Sequence, residues 1–242
     1  MRELIEKFKI YGFKTFSLFV FGELKNKLIM QGMKGSYSQK GEDLELDKLL
    51  KGKKIGFYVD VGAYDPHRFS NTKRFYLRGW NGINIEPDPI NYKKFLDDRP
   101  RDINLQIGVG SSDKKLKFYR FIPDTLSTFS KSEADNYVTQ GYKLVEKLNI
   151  EVKKLSDIFA KHANKKTIDF MSVDTEGFDF EVLKTNNWKK YAPKYLCVES
   201  FTHHMHGGEK HEYDHIREYL EEQGYKRVYE NGLNCIYKYT GK

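Results

Sequence analysis

Alternating strand and helix signals that end in a hairpin predict an α/β fold: a mostly parallel seven-stranded sheet, helices on both faces and a C-terminal antiparallel hairpin. Three observations carry this. Short apolar runs at 55–61, 82–85, 103–109, 168–173 and 194–198 alternate with stretches of helical spacing. Carboxylates stand at or beside the ends of four of the five runs: Asp60, Glu86, Asp174 and Glu199. Two further runs, 226–229 and 233–239, flank Asn231-Gly232, a strong signal for a tight hairpin turn.

Taken in order, residues 1–35 are expected to be an N-terminal helical extension and 36–242 the main domain. The extension carries Leu4, Ile5, Phe8, Tyr11, Phe16, Phe19, Val20, Leu24 and Leu28 in amphipathic patterns, flanked by Lys7, Lys9, Lys14, Lys25 and Lys27. One reading packs residues 1–30 over the domain or a partner subunit, as in a homo-oligomer. The other makes them a peripheral membrane anchor; packing is preferred. The apolar run 16–21 is too short to span a bilayer, and no secretory leader is expected.

Residues 36–50 read as a polar loop feeding a helix. After the first strand, Ser70 as N-cap and Gly79 as stop bound a helix over 70–78. The second strand, 82–85, is followed by a helix over 89–97, and the third, 103–109, leads into Gly110. Alternation makes strands of 115–121 and 149–154. The Ser-, Thr- and Asp-rich stretch between them, 123–142, shows no strong period. Residues 115–150 are therefore expected to be an insertion serving as substrate loop or lid. Helices over 155–161, from 178 to 183 and over 213–222 complete the alternation.

With 242 residues, 39% hydrophobic and 15% aromatic, the chain can core one α/β domain and is not disordered. A formal charge of +8 suits anionic surroundings, but a lysine-rich solvated surface accounts for it equally well. Cys197 and Cys235 both lie in apolar runs and read as small core residues in a reducing compartment. A cytoplasmic location is expected, with attachment at the inner face of a membrane as the variant that residues 1–30 would add.

The segment 57–89 is the most informative. Gly62 ends the first strand with a residue that permits close backbone approach. Glu86 follows it by 24 residues, the interval of a ribose-binding acid in a βαβ nucleotide site. Tyr64 and Pro66 stand where G-x-G-x-x-G would demand glycines, so the loop does not suit a pyrophosphate. An acidic loop without those glycines fits a cofactor with a cationic amino-acid tail, S-adenosylmethionine (SAM). The alternative leaves Asp60 and Glu86 as strand-end caps in an ordinary parallel sheet. Ligands of such sheets sit beyond the carboxyl ends of the strands. There a row of carboxylates suits a sulfonium, a ribose diol, a divalent metal or proton abstraction from a hydroxyl.

At this point the chain resembles the FkbM family of methyltransferases. The resemblance rests on Asp60-Val61-Gly62-Ala63, Ser70-Asn71-Thr72, Gly79-Trp80 and Asn84-Ile85-Glu86-Pro87. The D-x-E-G block of Asp174-Thr175-Glu176-Gly177 and the S-Q-x-G-E-D entry motif of Ser38-Gln39-Lys40-Gly41-Glu42-Asp43 add to it. Three blocks in the correct order across 36–200 are more specific than any one alone. The resemblance implies a Rossmann-like class I fold and SAM-dependent methylation of hydroxyls, often on sugars of glycans, glycolipids or secondary metabolites. It implies that Asp60, Gly62 and Ala63 line the methionine portion of SAM, and that Glu86, with Pro87, binds the ribose. Gly108 and Val109 would flank adenine, Gln39 and Glu42 would cover the pocket, and Ser70, Asn71 and Thr72 would hold the carboxylate through free N–H groups. The chain departs from many members at Asp65-Pro66-His67, which replaces a turn richer in Asn and Gly.

Methyl transfer to a sugar hydroxyl requires alignment and removal of a weakly acidic proton. Asp174 is expected at both the cofactor and the reacting centre, and Glu176 either acts as base or compensates a helix N-terminus. Glu199 is followed by His203, His204 and His206. His203 is a candidate base, and Asp174, Glu199 and His203 are a candidate Mg²⁺ or Mn²⁺ set. The partner expected is a small-molecule or glycan acceptor. Two competing readings are nucleic-acid methylation and a non-catalytic module that keeps the sheet for assembly. Against the first, no Pro-Pro pair exists, so an Asn-Pro-Pro-Tyr signature is absent, and no basic-aromatic domain is appended. Against the second stand the acidic strand tips.

Overall fold

The computed structural model describes residues 35–111, 114–199 and 211–241. The expected N-terminal helices and His203 lie outside them. The chain enters through α1 (Glu42–Leu49), then runs β1 (Phe57–Val61), α2 (Lys73–Leu77), β2 (Asn81–Ile85), α3 (Pro89–Asp98) and β3 (Ile103–Leu105). A second group follows: β4 (Gly108–Val109), β5 (Lys115–Ile122), a 3₁₀ turn (Asp124–Leu126), α4 (Lys131–Thr139) and β6 (Lys143–Lys153). The chain then returns through α5 (Leu155–His162), β7 (Phe170–Val173), α6 (Asp179–Lys184) and β8 (Tyr195–Glu199). It closes with α7 (His211–Glu222), β9 (Tyr225–Glu230) and β10 (Asn234–Tyr239).

The main sheet has seven strands in the order β3-β2-β1-β7-β8-β10-β9. The first five are parallel, and β10 pairs antiparallel with both β8 and β9. Alternation along the strands divides the core. Phe57, Val59 and Val61 face α5, α6 and α7 through Leu155, Phe159, Val182, Leu183, Ile216 and Leu220. Tyr58 and Phe170 face α1 and α2 through Leu46, Leu50 and Phe75, with Trp80 filling the gap. Two layers of helix thus cover a sheet whose central strands are buried on both faces, as a parallel sheet requires. Among the described residues no helix is long and apolar enough to cross a membrane.

Three expectations are corrected. The run 103–109 is not one strand. Pairing with β2 ends at Ile85↔Leu105, and Gly108 and Val109 instead pair with Val152 and Lys153 in a separate sheet of order β4-β6-β5. A Cβ at Gly108 would lie 2.4 Å from the Phe129 ring, so glycine is what lets the chain cross over that ring. The stretch 123–142 is likewise not structureless. Ser130 caps α4 by accepting from the Glu133 N–H, and Ala134 and Tyr137 are buried against Tyr119 and Phe121. Ser130-x-x-Glu133 has the form of a capping box, a start signal that the polar composition hides. The helix expected over 70–78 begins later, at Lys73, although the Ser70 hydroxyl still accepts from the Lys73 N–H at 3.1 Å.

Candidate functional site

Strand order reverses between β1 and β7, and a cleft of about 920 Å³ opens at their carboxyl ends. The two strands converge closely there. Gly62, at φ +75°, brings its backbone so near the β7 tip that a Cβ would sit 1.8 Å from the Asp174 carbonyl oxygen. Only glycine fits this junction.

The lining includes Gln39, Asp60, Gly62, Ala63, Asn71, Glu86, Pro87, Gly108, Val109, Asp174 and Glu176, which brings most of the sequence-derived candidates together. Four others lie elsewhere. Glu42 is buried, but its carboxylate accepts from the Lys40 N–H and from the side-chain amides of Asn231 and Asn234, each at 2.8 Å. Ser70 and Thr72 are buried behind the wall, and Glu199 does not line the cleft. Among the described residues no group of three or more His, Cys, Asp or Glu side chains is placed to hold a metal ion.

The acids of the cleft are unequal. Glu86 Oε2 accepts from the Tyr64 N–H at 2.7 Å and Oε1 from the Asp88 N–H at 2.8 Å. Burial nevertheless pushes its carboxyl up to about 8, with the neighbouring acids adding to the effect of burial and the two N–H donors opposing it. Asp60 accepts from the Thr72 hydroxyl at 2.8 Å; burial raises it to about 6, held back by that donor and by Arg99. Burial raises Asp174 to about 7, and the nearby charges of Asp179, Asp60 and Glu42 push the same way. Glu176 is raised well above the carboxylate range by burial and by Asp174. Beside them the Thr175 hydroxyl is buried on the cleft wall with no hydrogen-bond partner.

Two strands of the small sheet match the runs 115–121 and 149–154, while the stretch between them reads from sequence only as a loop or lid. The small sheet and its flanking turns form the remaining wall. Phe118, Asp124, Thr125, Ser127 and Phe129 line it. It is tied to the main sheet at several points. Tyr64, held in a left-handed conformation, donates from its hydroxyl to Asp124 Oδ1 at 3.1 Å, and Arg68 donates to that hydroxyl. Arg120 reaches Asp88 at 2.6 Å, and the Thr128 hydroxyl donates to the Glu176 carbonyl at 2.9 Å. Asp88 itself caps α3, accepting from the Ile90 N–H. Counted together, six carboxylates (Asp60, Glu86, Asp88, Asp124, Asp174, Glu176) line the cleft, and no Lys, Arg or His does so among the described residues.

Residues 60–227 match the family model of the methyltransferase FkbM domain. No curated protein matches the chain. Among solved structures it is similar to methyltransferase FkbM from Methylobacillus flagellatus KT, at 16% identity and a TM-score of 0.46. That match covers 77% of this chain and 44% of the other, so this chain spans less than half of its relative's length. A TehB-like SAM-dependent methyltransferase from Corynebacterium glutamicum ATCC 13032 Kitasato is 11% identical, with a TM-score of 0.42 and coverage of 90% of this chain and 97% of that one. TrmK of M. capricolum, in complex with S-adenosylhomocysteine (SAH), is 10% identical, with a TM-score of 0.39 and coverage of 81% and 68%.

Proposed function

The chain belongs to the FkbM methyltransferase family, and from that premise we propose that it binds SAM in the cleft and methylates a hydroxyl on a sugar of a glycan, glycolipid or secondary metabolite. The observation that carries this reading is the charge of the cleft. A chain of net charge +8 presents six carboxylates and no basic side chain along the described lining. The acids that stay ionised attract a cationic cofactor, the protonated and ionised groups together offer hydrogen bonds to a polyol, and no basic side chain along the described wall offsets a phosphate. The same observation speaks against nucleic acid as the acceptor, because the affinity for its backbone comes mainly from Lys and Arg neutralising phosphates.

The residues present fit SAM. Glu86 keeps one lone pair on each oxygen after binding the Tyr64 and Asp88 amides, which suits a vicinal diol. Ile107, Val109, Phe129 and Phe178 offer apolar surface for a purine. Gly62 lets β1 and β7 converge at the cleft floor, and Asp60 and Asp174 line the cleft beside it. When bound, SAM supplies a methyl group already activated on a sulfonium.

The work left to this chain is to align the acceptor and remove its proton. Asp174 and Glu176 are the groups that do so in this reading. Burial and mutual repulsion raise the proton affinity of both, Asp174 to about 7, so that the ionised form of either is a stronger base than an ordinary carboxylate. In this reading the polar part of the wall, with Asp124, Thr125 and Ser127, is the acceptor side of the cleft. Thermal-shift and calorimetric titrations with SAM and SAH test the reading. Stabilisation by both is expected, and a well-folded protein stabilised by neither would remove its basis. Comparing glycans and lipids of wild-type and deletion strains for a lost 14-dalton increment, the mass of one CH₂, then identifies the acceptor.

A further inference from the structure

Ser70 and Thr72 present an apparent contradiction. They open the helix beside the cleft, yet neither reaches it; both are buried, Thr72 completely. Behind them lies Arg99, at the end of α3, a guanidinium with only 1% of its surface exposed. Its balancing charge is Asp102, whose carboxylate is 3.8 Å away and accepts from the Tyr58 hydroxyl at 2.5 Å. Arg99 donates to that same hydroxyl at 3.2 Å, to the Pro66 carbonyl at 2.6 Å and to Ser70 Oγ at 3.3 Å, and packs 4.6 Å over the Tyr76 ring.

The direction of the hydrogen bonds beyond Ser70 can be deduced. Ionised Asp60 only accepts, so the single Thr72 hydroxyl proton goes to it, at 2.8 Å. Ser70 and Thr72 are 3.2 Å apart and either could donate by geometry alone. With the Thr72 proton committed, Ser70 must donate to Thr72. The Ser70 oxygen then accepts from Arg99 and from the Lys73 N–H at 3.1 Å. Every proton in the chain of bonds is accounted for, in one direction only.

We infer that Arg99 is a positioning residue for the cofactor site, acting through Ser70 and Thr72 to deliver one directed hydrogen bond that orients the Asp60 carboxylate at the floor of the cleft. The same guanidinium pins Pro66 and Ser70, and so fixes both sides of the loop that carries Phe69 to the cleft. Cooperative networks of this kind strengthen when buried and fail as units. The groups that face Asp60 electrostatically are Arg99, Asp102, Tyr58, Asp174 and Cys197, and only Arg99 favours its charged form.

The relay itself is independent of any ligand, whereas its consequence for binding rests on the SAM reading, so two measurements separate them. In cofactor-free protein, a ¹³C-carboxyl NMR titration of Asp60 is compared between wild type, Thr72→Val and Thr72→Ser. Thr72→Val keeps the side-chain shape and removes the hydroxyl, and is expected to raise the Asp60 midpoint by about one unit. Thr72→Ser restores it, and Arg99→Met raises it by a smaller step. An unchanged midpoint in folded Thr72→Val overturns the relay. SAM titrations across pH give the second readout. Below pH 6 the Thr72→Val protein is expected to bind about tenfold more weakly, converging on wild type as pH rises past the shifted midpoint. A moved Asp60 midpoint with unmoved SAM affinity supports the relay and overturns its role toward the cofactor. Wild-type protein that binds no SAM overturns the cofactor reading, and the carboxyl titration still decides the relay.

Discussion

At the β1–β2 edge of the cleft each carboxylate is held by donors, whereas at the β7 tip the carboxylates mainly face one another. Glu86 accepts two backbone N–H groups and Asp60 a hydroxyl backed by a buried guanidinium. Asp174 has other acids as its principal electrostatic neighbours, and among the described residues the Glu176 carboxylate meets only the distant Tyr137 hydroxyl, at 3.5 Å. The contrast separates two tasks that one functional group can perform. A carboxylate held by donors is fixed in place and recognises a ligand. One deprived of donors and crowded by like charge gains proton affinity and can take a proton.

The most severe way to break this contrast is Asp174→Asn. Turnover is expected to fall by about 10²–10⁴, with less change in SAM affinity measured by calorimetry; a fully active variant would sink the assignment. The same substitution sharpens the contrast through stability. Because the folded-state carboxyl of Asp174 lies near 7, above its ordinary 3.8, it disfavours folding increasingly as pH rises through that interval. Without a ligand, the Asn variant should therefore melt several degrees higher than wild type at pH 8, and about equally with it near pH 4.

Gly62→Ala attacks the junction between the two sides. A methyl group 1.8 Å from the Asp174 carbonyl, on backbone at φ +75°, should cost roughly 3 kcal/mol or more in denaturant unfolding. A near wild-type midpoint would show that the strands do not converge as described. On the held side, Glu86→Ala should weaken SAM binding about 10–100-fold, by losing diol contacts and by freeing the Tyr64 and Asp88 amides. Unchanged affinity would dissociate the β2 tip from the cofactor. The mildest test is Tyr137→Phe. Removing a donor that favours charged Glu176 should move the acidic limb of the rate–pH profile upward by a few tenths of a unit, with a loss of roughly twofold to fivefold near neutrality. An identical profile would disconnect α4 from the reacting centre.

The main sheet was legible in the sequence because its central strands are buried on both faces. A run such as Phe57–Val61 must then be apolar throughout, except where Asp60 faces the site. The strand-tip acids were legible for the same reason, since a carboxylate inside such a run has few structural explanations. The small sheet was legible only in part: alternation marks strands at 115–121 and 149–154, but nothing marks β4 or the first half of β6. Its strand β6, Lys143–Lys153, is largely exposed and lysine-rich, so neither face announces itself. Glu42 shows another limit: it sits in a family-like block, but its partners Asn231 and Asn234 are some 190 residues away in sequence. Position in a motif could not distinguish it from Gln39, which does reach the cleft. Thr72 differs again, since only the direction of a buried hydrogen bond reveals what it does.

That long-range clasp has a consequence for how the protein is made. Gln39 stands three residues before Glu42, whose carboxylate is gripped by amides from the turn into β10. Strand β10 in turn slots between β8 and β9, so the sheet cannot be closed by a ribosome-bound chain that lacks residues 234–239. Contacts this distant in sequence form late and slow folding. A nascent chain would then hold the acidic floor long before the edge bearing Gln39 is locked down, and the cleft becomes whole only after the hairpin has left the exit tunnel.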